Sequence, residues 1–151
     1  MVIFIAVGIV FISIKLINGK NNDKYANLYI YNNRDSISLA SQIVDNEHLL
    51  ILYFHPECDF CHGELNLLSK LKTDNLVVDL VSYAHKNDID SMLQTVNFQS
   101  LKEVNIIYDS SYVWNEVLNI VTIPTTFYFN KGHLKQKRIG YFDLKVLLNE
   151  E

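Results

Sequence analysis

Hydrophobic positions follow two regimes along this chain: an unbroken apolar run at the N-terminus, then shorter apolar segments with regular spacing. Residues 2–14, VIFIAVGIVFISI, carry no charge, and Lys15-Leu16-Ile17 extends the run. Apolar side chains would cover every face of a helix here, which an amphipathic surface helix does not explain. As a helix, 2–17 would span roughly 24 Å against a hydrocarbon core of about 30 Å, and Lys15 could reach the headgroups. The expectation is a membrane anchor over 1–17, with a cleaved signal peptide and a buried core helix as alternatives. No small-x-small cleavage site follows the run, and no cysteine lies near it to carry a lipid. Residues 18–27, NGKNNDKYAN, are polar and turn-rich and read as a linker. That leaves 28–151 as one domain.

Within that domain, short continuous apolar runs alternate with helical spacing. Strands are predicted at 28–31, 49–54 (LLILYF), 76–83 (LVVDLVSY) and 104–108. Helices are predicted at 35–46, with Ile37, Ala40, Ile43 and Val44 on one side, and at 61–72, with Leu65, Leu68 and Leu71. Further helices are expected at 88–98 and, shorter, at 111–118. Strands at 125–129 and 134–139, joined by Asn130-Lys131-Gly132, make a hairpin, and a short helix over 143–149 closes the chain. Alternating strands and helices ending in a hairpin imply an α/β sandwich around a mixed sheet.

Charge narrows the partners. The net charge is −4, and acidic and basic residues are interspersed, so no basic stripe is available to track phosphates. Nucleic acid is therefore not an expected partner. The only two cysteines, Cys58 and Cys61, lie three apart. A bridge that short constrains almost nothing in the unfolded chain, so chemistry explains the pair better than stabilisation does.

The pair falls where the buried strand 49–54 gives way to a helix, in LLILYF-HPE-CDFC-HGELNLLSKLK. Unpaired N–H groups and a partial positive charge at a helix start favour a thiolate over a thiol. A cysteine of pKa about 8.5 is only about 3% thiolate at pH 7, and lowering that pKa to about 7 raises the fraction to about half. A second element, Ile123-Pro124-Thr125-Thr126-Phe127, enters a strand with proline at its start, where the missing N–H does least harm.

Together these motifs resemble the thioredoxin superfamily, from about residue 35 to the C-terminus. The resemblance implies a thioredoxin-like three-layer sandwich with a central mixed sheet. It also implies a cis Ile123–Pro124 bond beside the redox pair, with Ile123 and Pro124 meeting the substrate chain. Within the superfamily the chain looks closest to the membrane-anchored, extracytoplasmic TlpA/ResA-like group, given its apolar N-terminus and the helix-bearing stretch 85–101. The implied function is a thiol–disulfide oxidoreductase that reduces protein disulfides outside the cytoplasm. Cys58 would attack, Cys61 would resolve, and no dissociable cofactor would be needed. Expected partners are proteins with thiols or disulfides, a membrane electron donor for re-reduction, and the membrane itself through a single span. The domain would face the periplasm or cell exterior, although Lys15, Lys20, Lys24 and Arg34 after the run would by the positive-inside rule place it in the cytoplasm.

The chain departs from the family's usual pattern in three places. Glu57 replaces the common Trp before the first cysteine, Leu52 replaces a buried acid upstream, and Asp59-Phe60 replaces Gly-Pro between the cysteines. Glu57 and Asp59 disfavour a nearby thiolate, which leans the pair towards a reductant. Cys58-Asp59-Phe60-Cys61-His62 also matches the c-type haem motif, but strands flank it and Met1 and Met92 are poor distal ligands. His55, Cys58, Cys61 and His62 could instead hold copper or zinc, and a redox-inactive binding module is a further alternative. His55 occupies the position where peroxiredoxins carry Thr or Ser. His48, His85 and His133 read as surface residues, and Trp114 as core.

Overall fold

The computed structural model describes residues 25–32 and 35–142, together with Leu144 and Val146. The expected anchor at 1–17, most of the expected linker and most of the expected terminal helix at 143–149 lie outside the described residues. Among the described residues, no helix is long and apolar enough to cross a membrane.

The chain opens with a hairpin of β1 (Tyr29–Asn32) and β2 (Asp35–Ser38), which leads directly into α1 (Leu39–Asp45). Five strands build the main sheet: β3 (His48–Phe54), β4 (Leu76–Ser82), β5 (Glu103–Tyr108), β6 (Thr125–Asn130) and β7 (His133–Ile139). Between them run α2 (Asp59–Leu68), α3 (Lys86–Leu93) and α4 (Val113–Leu118). The sheet order is β5-β4-β3-β6-β7. The β3, β4 and β5 strands run parallel and the terminal hairpin antiparallel, so the sheet is mixed as expected.

Both faces of the sheet are covered, which explains why every residue of β3, β4 and β6 is buried. Leu49, Ile51 and Tyr53 point to one side, against Leu39 and Ile43 of α1 and Trp114 and Leu118 of α4. Leu50, Leu52 and Phe54 point to the other, against Leu65 and Leu68 of α2 and Ile89 and Met92 of α3. The outer strand β7 is exposed along nearly its whole length, and Lys135, Lys137 and Arg138 guard it against pairing with another chain. Lys131 (φ 49°) and Gly132 (φ 83°) both take positive φ in the hairpin turn, the geometry that matches strand twist.

Several boundaries differ from those predicted. Residues 35–38 pair with β1, placing Ile37 opposite Ile30, so the helix starts only at Leu39. Ser38 caps it by accepting the Ser41 N–H at 3.2 Å. Tyr25, in the stretch read as linker, is buried in the core, edge-on to Phe129 at 5.7 Å. His48 is not a surface residue: it is buried, and its Nδ1 shares a 2.7 Å hydrogen bond with the Tyr128 hydroxyl.

Candidate active site

After Phe54 ends β3, the backbone turns, and the Cys58 N–H donates to the His55 carbonyl at 3.1 Å. Cys58 is the N-cap of α2, and its Sγ accepts the Cys61 N–H at 3.2 Å. Sulfur thus stands where a serine or aspartate oxygen would normally cap the helix. The same N–H that meets the sulfur would stabilise negative charge on it. Cys58 and Cys61 are joined as a disulfide, with Cα atoms 5.2 Å apart. Cys58 is half-buried, whereas Cys61 is fully enclosed in the core beside Leu65 and Leu68.

The Ile123–Pro124 bond is cis. Tyr53 pairs with Thr125, so the start of β6 lies beside the end of β3, where the cysteine turn begins. The Pro124 carbonyl accepts the Gly140 N–H at 2.8 Å, and Thr125 Oγ1 donates to the Thr122 carbonyl at 2.7 Å, which ties down the loop on both sides. Ile123 packs against the apolar layers on both faces of the sheet, and half-buried Cys58 flanks one of those layers. The fold therefore brings all four expected site residues to one end of the sheet.

Sequence reasoning missed Glu64. Cys61, Glu64, Leu65 and Leu68 form the buried stripe of α2, and the same 3–4 spacing that marked Leu65 and Leu68 could have flagged a glutamate on that stripe. Its Oε1 accepts the Thr126 hydroxyl at 2.7 Å. Thr126 is the cross-strand partner of Leu52. The Glu64 carboxyl is thereby held against β6 at the level of Leu52. Burial pushes the Glu64 pKa up to about 7, with the Thr126 hydrogen bond pulling the other way.

His55 is half-buried and His62 exposed, each with a hydrogen bond of its own. His55 Nδ1 accepts the Glu57 N–H at 3.2 Å, and His62 Nε2 donates to the Pro56 carbonyl at 2.7 Å. They do not converge with the two sulfurs. Among the described residues, no three His, Cys, Asp or Glu side chains gather as metal ligands would. Phe60, between the two cysteines, is 67% exposed, and Val121, two residues before Ile123, is 77% exposed.

No family model matches the chain, and no curated protein does either. Solved structures do match. StoA of Bacillus subtilis aligns with a TM-score of 0.59 at 19% identity, over 80% of this chain and 92% of that one. The exposed lipoprotein thioredoxin of Streptococcus pneumoniae gives 0.62 at 15%, over 80% and 94%. A secreted disulfide oxidoreductase of Mycobacterium tuberculosis gives 0.63 at 13%, over 82% and 94%. The chain has the thioredoxin-like fold, with a disulfide-forming CxxC pair at the start of its second helix.

Proposed function

We propose that the protein is a membrane-tethered thiol–disulfide oxidoreductase that reduces protein disulfides outside the cytoplasm. The observation that carries this reading is the Cys58–Cys61 disulfide at the strand-to-helix junction, with the outer sulfur receiving a helix N–H. In the reduced form, Cys58 thiolate attacks one sulfur of a substrate disulfide. That bond breaks, a Cys58–substrate disulfide forms, and the departing sulfur takes up a proton. Cys61 then loses its proton and attacks Cys58 Sγ, releasing the second substrate sulfur as a thiol. The dithiol gives up two electrons and ends as the Cys58–Cys61 disulfide.

Ile123 would hold the substrate chain by its backbone, with Pro124 against the sulfurs. Among the described residues no backbone hydrogen bond outside the regular elements ends on Ile123, which suits that role. Glu57 and Asp59 beside Cys58 disfavour its thiolate and support the reducing direction. The tether and outward orientation draw on the apolar run at 2–17 and on neighbours described as secreted or as an exposed lipoprotein. A membrane electron donor would then restore the dithiol.

The test is reduction of insulin disulfides by the full chain with dithiothreitol as donor. Cys58→Ser should abolish it, and Cys61→Ser should accumulate reductant-sensitive adducts with partner proteins. Activity unchanged in both variants refutes the reading. An alkaline phosphatase reporter fused after Glu151 should be active, because that enzyme matures only outside the cytoplasm.

A further inference from the structure

The disulfide-exchange reaction makes no use of an aromatic row that starts at the cysteine turn. His55 lies against Tyr83 with ring centres 4.9 Å apart, and Tyr83 stacks on Tyr112 at 5.1 Å. Buried Tyr53 lies beneath Tyr83 at 6.1 Å and donates its hydroxyl to Asp109 at 2.9 Å. The Asp109 carbonyl in turn accepts the Tyr112 N–H at 3.0 Å, so the row is fixed to the sheet at both ends. Tyr112 is held at φ 59°, where a side chain is strained, yet the residue is 48% exposed. A core-packing requirement does not explain an exposed residue on a strained backbone.

Charge around the row is one-sided. The segments carrying the cysteines and the cis proline, residues 48–69 and 105–130, contain no Lys or Arg. Glu57, Asp59 and Glu116 are exposed in them. Among the described residues, neither Glu57 nor Asp59 takes part in an ion pair. Lys86, at the start of α3, is held by Asp90 and the Tyr108 hydroxyl. Lys137 is held by the Leu118 and Asn119 carbonyls.

We propose that the substrate is a polypeptide whose disulfide cysteine is flanked by a cationic side chain, arginine above all, stacked on Tyr112 at the exposed end of the row, which Tyr83 backs, and paired with Glu57 or Asp59. This rests on the oxidoreductase reading above. A guanidinium lies flat on an aromatic face and forks onto a carboxylate, whereas an ammonium is a more strongly hydrated point charge. A phenyl ring would stack but gain nothing from the acids. The reach fits: an extended chain advances about 3.3 Å per residue with alternate side chains on one face. The row begins at His55, three residues before Cys58, so side chains two or four residues from a substrate cysteine have the length to reach it.

The test uses the reduced full chain with short peptides whose single cysteine is blocked as a thionitrobenzoate disulfide, with Arg, Lys, Phe or Glu two residues away. At low salt the Arg peptide should react about tenfold faster than the Glu peptide, with Lys between, and the ratio should shrink at high salt. Tyr112→Gly, which suits the positive φ while removing the ring, and Tyr83→Leu should each narrow the gap between Arg and Lys. Glu57→Gln with Asp59→Asn should narrow the gap between Arg and Phe. The ratio within each variant is the readout, so changes in overall rate do not matter. Equal rates for all peptides, or a salt-independent preference for Phe, overturn the proposal. Reduction of the small neutral disulfide of mercaptoethanol separates the two readings: if it fails, the oxidoreductase reading falls as well, and if it proceeds while peptides are not discriminated, only this inference falls.

Discussion

Cys61 must lose a proton inside an apolar layer, where an isolated charge is costly. Glu64 follows it by one helical step, buried, with Oε2 lacking a partner among the described residues. A carboxyl pushed up to about 7 by burial can hold a proton or release it near neutrality. A Glu64 carboxylate that took up the Cys61 proton during resolution would put its own titration into that step. Resolution should then quicken as pH rises through about 7, the region where Glu64 ionises. In Glu64→Gln that limb should move towards ordinary thiol titration near 8.5, and resolution at neutral pH should slow roughly ten- to hundredfold. Stopped-flow decay of the mixed disulfide across pH measures both. A Gln variant with an unchanged pH profile would show that Glu64 only fills space. Cys58 and Cys61 were legible because residue type and spacing sufficed to find them. Glu64 was not, because its meaning depends on Thr126, which lies 62 residues later in the chain and beside it only once the sheet forms.

At the level of elements, the strands were the most readable part, since β3, β4 and β6 are buried on both faces and show as unbroken apolar runs. Helix starts were less so. Ile37 has helical spacing with Ile43 and Val44, but its backbone pairs across a hairpin to Ile30, a contact that periodicity in a short window does not register. The start of α4 shows what spacing omits. Asp109 is buried after β5, and its carboxylate accepts the Trp114 and Asn115 N–H groups, each at 3.1 Å, as well as the Tyr53 hydroxyl. One side chain thus caps a helix and fastens it to the central strand. Hydrogen bonding to Asp109 and burial both push the Tyr53 pKa up, burial being the larger cause. Asp109→Ala should cost about 2–4 kcal/mol, combining a lost cap with a buried hydroxyl left unpaired. Asp109→Asn, which keeps an acceptor, should cost less. Urea midpoints give both values, and an Ala variant within about 0.5 kcal/mol of the parent would contradict this account.

Across the whole molecule, besides Asp109, two buried acids occupy opposite layers of the sandwich. Glu64 lies with α2 and α3, and Asp79 lies in β4 facing α1. Asp79 Oδ1 accepts the Asn105 amide at 3.0 Å, while Asp79 Oδ2 and nearby Gln42 Oε1 are buried without a partner among the described residues. Hydrogen bonding to Asn105 and Gln42 favours the charged form of Asp79, but its burial weighs more. Burial pushes Asp79, like Glu64, up to about 7, against ordinary values of 3.8 and 4.5. Between those ordinary values and 7 the folded chain keeps protons that the unfolded chain has released, so stability must fall as pH rises. The stabilisation is complete below about pH 4 and lost as pH passes through about 7, with an upper limit of about 3–5 kcal/mol per group at about 1.4 kcal/mol per pKa unit. The oxidised protein should accordingly show a higher urea midpoint at pH 5 than at pH 8, with the disulfide constant across the series. Glu64→Gln and Asp79→Asn imitate the protonated acids, so each should flatten part of the slope, and the double variant should remove most of it. The two sites are on opposite faces of the sheet and share no partner, so their effects should add. A parent protein whose stability rises from pH 5 to pH 8, or a double variant that keeps the parent slope, would show that these acids ionise freely in the fold.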